Sequence, residues 1–523
     1  GALNISISLH YLVYCENTSR SGRMPGPMAG KVLIANRGEI AVRIARALHE
    51  MSLPSVAVYT DADAGAVHVR RADEAMRIGV GRSAYLDVER IVSAARSAGA
   101  WGIHPGYGFL AESADLCRAC DEAKLVFIGP PANAIYEMGD KERARARMQS
   151  AGVPIVPGGP ARSLTEAKAT AGSVGYPVLI KATAGGGGKG MRRAENEGEL
   201  ERAMERTKSE AQSSFGDHKV YVEKVILGAR HVEIQVLGDR HGRLVHVFER
   251  DCSLQRRHQK IIEETPCPVL TDATREAMCQ VAIAGATAIG YYSAGTFEFL
   301  LGQDGGFYFL EMNTRLQVEH TVTEAVSGLD LVKEMIRIAD GEPLSFNNAE
   351  RRGVAIEARV YAEDPEQGFL PSPGRIDQLT APAGPFVRDD SGVTTGSLVS
   401  AEFDPLLSKV CVWAPSRAEA LARLRRALSE YVVLGVVTNL EFLERLISHP
   451  TVVAGDYDTS FVESHAEELC RPLTTPEQRD RDALLLSALA AHADLRQTGP
   501  SSVPATATRW RDAARPGSGS RWR

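Results

Sequence analysis

KVLIANRGEIAVRIARALHE (residues 31–50) is an apolar run that passes directly into a helical spacing. A strand feeding a helix is the repeating unit of a parallel sheet. The same alternation continues outward from it. Strand runs SVAVYT (55–60), AMRIG (75–79), WGIHPG (101–106) and LVFIGP (125–130) follow, with helical patterns around 87–98 and 113–123. The expectation for 31–129 is therefore a parallel sheet covered on both faces. A Rossmann-like domain is the obvious form, but GxGxxG is absent after the first strand and NRGEIAVRI stands in its place, which weakens a dinucleotide reading.

The chain has 523 residues. At roughly 100–200 residues per domain that means about three domains. Hydrophobic residues make up 44% and charged residues 24%, ordinary for a globular protein and too apolar for a disordered one. The net charge of −6 supplies no basic field, so neither nucleic acid nor a membrane surface is an expected partner. Arg outnumbers Lys 48 to 12, so each Lys inside a motif carries more information. The eight cysteines are scattered, which reads as reduced thiols in a reducing, cytoplasmic setting. Cys117 and Cys120 form one CxxC without the second pair that a zinc site usually needs, so core thiols are expected. Residues 277–297 lack charge, yet Gly285, Gly290 and Gly295 interrupt them, and a buried helix entering a strand fits better than a span. The first ~28 residues have no helical or strand period and read as a disordered lead. Vector-derived or upstream-translated sequence is the favoured origin, with a transit peptide as the alternative. Residues 481–497 read as a helix and 498–523 as a linker.

Three polar groupings interrupt this apolar frame. PVLIKAT (177–183) ends near Lys181 and runs into Gly185, Gly186, Gly187 and Gly188, followed by Lys189. Glycines let backbone N–H groups approach phosphate oxygens, although a flexible linker is the other reading. GTFEFLL (295–301) and GGFYFLEMN (305–313) each carry one acid among aromatics, Glu298 and Glu311. If the second run stays extended, Glu311, Asn313, Arg315, Gln317 and Glu319 share one face. Two acids and an amide oxygen suit Mg²⁺; a solvated strand face with internal salt bridges is the alternative. His231, Glu233 and Gln235 alternate with apolar residues, as do Glu357 and Arg359. Between them RDCSLQRRHQKIIEE (250–264) gathers Arg256, Arg257, His258 and Lys260, either an anion site or a surface loop paired to Glu263 and Glu264.

From about Lys31 to Phe461 the chain resembles the biotin carboxylase component of biotin-dependent acyl-CoA carboxylases, within the ATP-grasp family. The motifs that carry the resemblance are IANRGEIAVRI (34–44), HPGYGFLAE (104–112), MGDK (138–141), IKATAGGGGKGM (180–191), RHVEIQV (230–236), ERDCSLQRRHQK (249–260), GTFEFL (295–300), EMNTRLQVEH (311–320) and EARVYAEDP (357–365). It looks closest to α subunits of bacterial methylcrotonyl- or propionyl-type enzymes. A carbamoyl-phosphate synthetase-like half and a non-catalytic ATP-binding scaffold are the competing readings; the RRHQK run, Arg359 and the retained charges argue against both.

The resemblance implies a mixed α/β and α+β architecture. A Rossmann-like pre-ATP-grasp domain covers 30–140 and an ATP-grasp domain covers 141–348, with a mobile lid about 157–225. A biotin carboxylase C-terminal domain covers 350–462, and a helix and linker tail covers 463–523. It implies that ATP phosphorylates bicarbonate and that the carboxyl group passes to biotin. Lys141, Lys181, Gly185–Gly188 and Lys189 are expected on ATP phosphates, and Glu223, Lys224 and Ile226 at the adenine hinge. His231, Gln255 and His258 are expected near the nucleotide, and Glu298, Glu311 and Asn313 on Mg²⁺ or Mn²⁺. Bicarbonate is expected at Lys260, Arg315, Gln317 and the backbone of Val318. Glu319 matches the general base, Arg359 the residue that steadies the biotin enolate, and Tyr107 and Gly108 the biotin-side loop. Two positions depart from the pattern. Thr321 replaces a proline, which should loosen the bend beside Glu319, and Val225 replaces an aromatic residue of the adenine hinge. Met-Lys, the usual biotinylation dipeptide, does not occur in these 523 residues. Biotin is then expected on a carrier domain or protein, with a carboxyltransferase β subunit as partner in a homodimer or larger hetero-oligomer.

Overall fold

The computed structural model describes residues 30–182, 191–215 and 219–471, with a few positions between 477 and 488. The expected lead (1–28), the glycine run Gly185–Gly188 with Lys189, and most of the tail beyond Arg471 lie outside the described residues. The elements below belong to the compact unit that ends at Leu469.

Lys31–Ile34 is the middle strand of a five-stranded parallel sheet. Ser55–Thr60 and Glu74–Gly79 lie on one side of it, Ala100–His104 and Val126–Phe127 on the other. Alternation along the middle strand buries both faces. Leu33 packs with Val56, Ile91 and Leu116, while Val32 and Ile34 pack with Ile40, Ile44, Leu48 and Ile336. Helices Val88–Ser97 and Ala114–Glu122 thus cover one face and Gly38–Glu50 with Leu331–Ala339 the other. Cys117 and Cys120 sit in the first of these cores, where burial pushes their thiols up to about 11 and about 12, well into the range of inert side chains.

A second sheet has eight strands, all antiparallel. In spatial order they are Phe307–Asn313, Ser293–Leu301, Arg230–Gly238, Leu244–Arg256, Gln259–Thr265, Val354–Tyr361, Leu406–Ala414 and Val387–Ser391. This sheet runs through the division expected between 348 and 350, since Gln259–Thr265 pairs with Val354–Tyr361. A smaller antiparallel sheet (Gly158–Pro160, Val220–Lys224, Val178–Ala182, Met191–Ala194) packs Val178, Ile180 and Val222 against helices Leu164–Val174 and Glu197–Phe215. Among the described residues no helix is long and apolar enough to cross a membrane.

Candidate active site

The period of two along a strand divides the large sheet into unlike faces. Phe297, Phe299, Phe309, Met312, Val232 and Ile234 point into one apolar core. The residues between them line up in register on the other face, so that Glu311 is opposite Glu298, Glu298 opposite Glu233, and Glu233 opposite Arg250. Four charges in a row across four strands would be costly if they were not paired. The cations that pair them arrive from the neighbouring strands.

Lys260 lies among three carboxylates, in contact with Glu233 and donating to Glu298 at 2.9 Å and Glu319 at 2.8 Å. Arg359 donates to Glu263 at 2.6 Å and to Glu319 at 3.0 Å. Glu319 thus has one oxygen on a lysine and the other on an arginine. Burial works to raise its pKa, but Lys260, Arg359 and Arg250 outweigh it and hold the carboxyl well below the usual range. Glu298 is depressed likewise, against burial, by Lys260 and by His231, whose Nε2 lies 2.9 Å away. Asn313 and Gln317 also donate to Glu298, at 2.6 and 2.8 Å. Arg315 donates to Glu112 at 3.0 Å and to the Asn313 amide oxygen at 2.8 Å.

At the other end of the same cleft Lys141 opens the helix Lys141–Ser150. Burial lowers its pKa; Glu311 opposes that, and neighbouring Lys181 adds to it. Lys181 pairs with Glu223 at 2.5 Å, and Glu223 also accepts from Arg145 at 3.0 Å. Lys224 turns its ammonium to the carbonyls of Gly175 and Tyr176, both at 3.0 Å. Arg257 and His258 form the two-residue turn between Leu244–Arg256 and Gln259–Thr265, with φ of 49° and 65°. Non-glycine residues in this left-handed region store about 1–3 kcal/mol each and are often found at functional sites.

One cavity of about 1630 Å³ connects the two ends, and every expected site residue that is described lines it, from Tyr107 and Gly108 through Lys141 and Ile226 to Arg359. Gly185–Gly188 and Lys189 are outside the described residues.

The donor set accepts a divalent cation in one place. Glu298 and Glu311 face each other on paired strands. Burial and the Glu298 charge raise the Glu311 pKa, the situation that a hard cation relieves. In the two tighter groups of ligand-type side chains, His231/Glu233/Glu298 and Glu233/Cys252/Glu319, the Lys260 ammonium already lies among the carboxylates.

Three family models match the chain in succession: "Biotin carboxylase, N-terminal domain" over 28–135, "Carbamoyl-phosphate synthase L chain, ATP binding domain" over 140–347, and "Biotin carboxylase C-terminal domain" over 357–464. Biotin carboxylase 1 of Bacillus subtilis is 49% identical over 445 residues, 84% of this chain and 99% of that protein. The chain belongs to the biotin carboxylase family. A mitochondrial methylcrotonoyl-CoA carboxylase subunit alpha of Dictyostelium discoideum is 47% identical over 88% of this chain, which spans 66% of that subunit's length. Among solved structures, the biotin carboxylase domain dimer of Hydrogenobacter thermophilus 2-oxoglutarate carboxylase, in complex with MgADP, ADP and bicarbonate, has a TM-score of 0.82 and 45% identity. That match covers 85% of this chain and 99% of the domain.

Three expectations about this biotin carboxylase site change. First, the segment after Glu311 does not stay extended: the strand ends at Asn313, and Glu319 directly precedes the helix His320–Ser327. Phe307–Asn313 is the edge strand of its sheet, and Glu112 takes the Thr314 N–H at 3.0 Å, so the chain turns away. Gln317 and Glu319 reach the cleft by that turn and not by alternation. Second, Glu263 and Glu264 do not serve the RRHQK run: Glu263 accepts from Arg359, and Glu264 from Arg417 at 2.7 Å. Third, Thr321 does not loosen a bend. It lies in the first turn of the helix, buried, with its hydroxyl donating to Glu357. Sequence reasoning also missed Arg250 and Lys409. Arg250 is fully buried and donates to Glu233, Gln235, Thr296, Gln317 and Thr323. The signal for it was a charged triplet, Glu249–Asp251, in the middle of a long strand.

Proposed function

We propose that this chain is a biotin carboxylase that spends ATP to activate bicarbonate and carboxylates N1′ of biotin. The observation that carries it is the joint placement of the polar residues. A base carboxylate held by Lys260 and Arg359 shares one cleft with phosphate-side lysines and a carboxylate pair suited to a divalent ion.

Lys141 and Lys181 hold ATP phosphates in this reading, joined by Gly185–Gly188 and Lys189. Glu223, Lys224 and Ile226 border the adenine, and His231, Gln255 and His258 the nucleotide. Glu298, Glu311 and Asn313 would hold Mg²⁺ or Mn²⁺, which when bound neutralises phosphoryl oxygens. Bicarbonate lies against Lys260, Arg315, Gln317 and the Val318 backbone. Arg315 has a guanidinium fork that matches a planar oxyanion. Glu319 removes the bicarbonate proton. A bicarbonate oxygen then bonds to the γ-phosphorus as the bond to ADP breaks, giving carboxyphosphate. Its breakdown gives CO₂ and phosphate, phosphate takes the N1′ proton of biotin, and the ureido anion, steadied by Arg359 near Tyr107 and Gly108, attacks CO₂. In the empty cleft both cations serve Glu319; an anion that draws Lys260 to itself raises the carboxylate's basicity toward what a general base needs.

Biotin arrives on a carrier domain or protein, and a carboxyltransferase β subunit uses the product, as in an acyl-CoA carboxylase α subunit of a bacterial cytoplasm. The dimer of the Hydrogenobacter domain supports a homodimer or larger hetero-oligomer. The test is ADP release with Mg²⁺, bicarbonate and free biotin. Stimulation by both substrates is expected, and no response to high biotin would overturn the reading.

A further inference from the structure

Lys409 has no part in the roles above. It lies midway along Leu406–Ala414, between Ser408 and Val410; its side chain is fully buried, with Glu39, Glu357 and Asp390 the acids that act on it. Its register partners are Arg359 on one side and Asp390 on the other. A buried ammonium costs several kcal/mol unless something holds it. Here the Val318 carbonyl accepts from Nζ at 2.6 Å, the Glu39 carboxylate lies 3.5 Å away, and the Tyr107 ring centroid lies 5.7 Å away. These belong to three segments: the helix Gly38–Glu50, the loop after Ala100–His104, and the turn between Asn313 and His320. The closest contact goes to a neutral carbonyl and not to the acid. A lysine present only to balance Glu39 would show the reverse order.

That carbonyl belongs to the peptide that leads into Glu319. Glu319 has φ −81° and ψ 11° and precedes its helix with no side-chain cap, so neither a sheet ladder nor a cap fixes the peptide before it. Pinning the Val318 oxygen sets the plane of that peptide, and with it the direction in which the Glu319 side chain leaves the backbone.

We propose that Lys409 is a positioning residue: it clamps the Val318–Glu319 peptide so that the base stays in line with Lys260 and the bicarbonate side of the cleft. This rests on the biotin carboxylase reading, and the experiment separates the two. ADP release is measured on the full chain with bicarbonate and ATP titrated separately. A wild-type chain that ignores bicarbonate and biotin defeats that reading. Given an active wild type, Lys409→Met lowers biotin-dependent kcat by roughly 10²-fold and raises the bicarbonate KM about tenfold, with the ATP KM within about twofold. Lys409→Gln keeps a donor for the carbonyl without the charge and recovers about tenfold of the lost kcat. Equal Tm losses in both variants with an unmoved bicarbonate KM would reduce Lys409 to a structural charge and overturn the proposal. If Lys409→Met does not fold, Glu39→Gln carries the test. It removes the charge partner and spares the Val318 bond, so the bicarbonate KM stays within about twofold of wild type; a tenfold rise would place the effect in the ion pair and overturn the clamp.

Discussion

At the Glu319 end of the cleft, charges alternate in sign within hydrogen-bond reach. Glu263 meets Arg359 at 2.6 Å, Arg359 meets Glu319 at 3.0 Å, Glu319 meets Lys260 at 2.8 Å, Lys260 meets Glu233, and Glu233 meets Arg250 at 3.1 Å. At the Lys141 end, two lysines repel each other; Glu311 acts on Lys141, and Glu223 pairs with Lys181 while shared with Arg145. The first end is organised before any ligand arrives, and the one change it needs is that Lys260 turns from Glu319 to the bound anion. The second holds like charges that a polyphosphate relieves. Pre-formed order thus sits where bonds to carbon change, and unrelieved charge sits where the nucleotide enters.

The hardest blow to this contrast is Glu319→Gln. It should lower bicarbonate-dependent ADP release by about 10³-fold while leaving the ATP KM within about threefold. Parallel losses in both would mean that the two ends are not separate. Arg359→Ala comes next, with about 10²–10³-fold less biotin-dependent turnover and retained nucleotide binding. It also strands Glu263, so a fall in stability of about 3–5 kcal/mol should appear in urea melts. Glu311→Gln acts at the other end and should shift the Mg²⁺ titration about tenfold without lowering Tm; an unmoved titration removes Glu311 from the metal site.

The smallest effect is that of pH. Glu319 and Glu298 are held well below the usual carboxylate range, so their ionisation does not change between pH 7.5 and 5.5. His68 and His104, buried in the parallel-sheet domain, are pushed down to about 4 and about 3, mainly by burial. The unfolded chain takes up protons near 6.5 while the native state does not, so stability present above that pH is lost as pH falls toward the folded values. Each histidine should cost about 1.4 kcal/mol at pH 5.5, offset by Glu39 and Glu263, which burial pushes up to about 7 and about 8 so that the folded chain takes up protons there over this window; His68→Gln should remove its own share of the loss. A slope unchanged by His68→Gln would remove His68 from the acid sensitivity.

Much of the fold could be read because its signals are local. Strand-to-helix passages from Lys31 onward carry period and length together, and both faces of a parallel sheet demand the apolar runs seen there. The cleft could be read through EMNTRLQVEH and RRHQK because motif residues are neighbours in sequence. What stayed hidden depends on distant partners. The turn after Asn313 is made by Glu112, 202 residues earlier. Glu263 meets Arg359 across 96 residues, and Lys409 meets the Val318 carbonyl across 91. Lysine scarcity could also have pointed at Lys409, a lone charge in a strand that is otherwise apolar but for Ser408.

The run Glu263–Arg359–Glu319–Lys260–Glu233–Arg250 also bears on descent. Exchanging Arg359 alone strands Glu263 in a dry interior, whereas each cation next to Glu319 keeps a second acid. Removing Arg359 without leaving a buried acid unpaired therefore takes a second change at Glu263. Apolar positions on the opposite face, such as Val232 and Phe297, can instead drift one at a time provided that volume is kept.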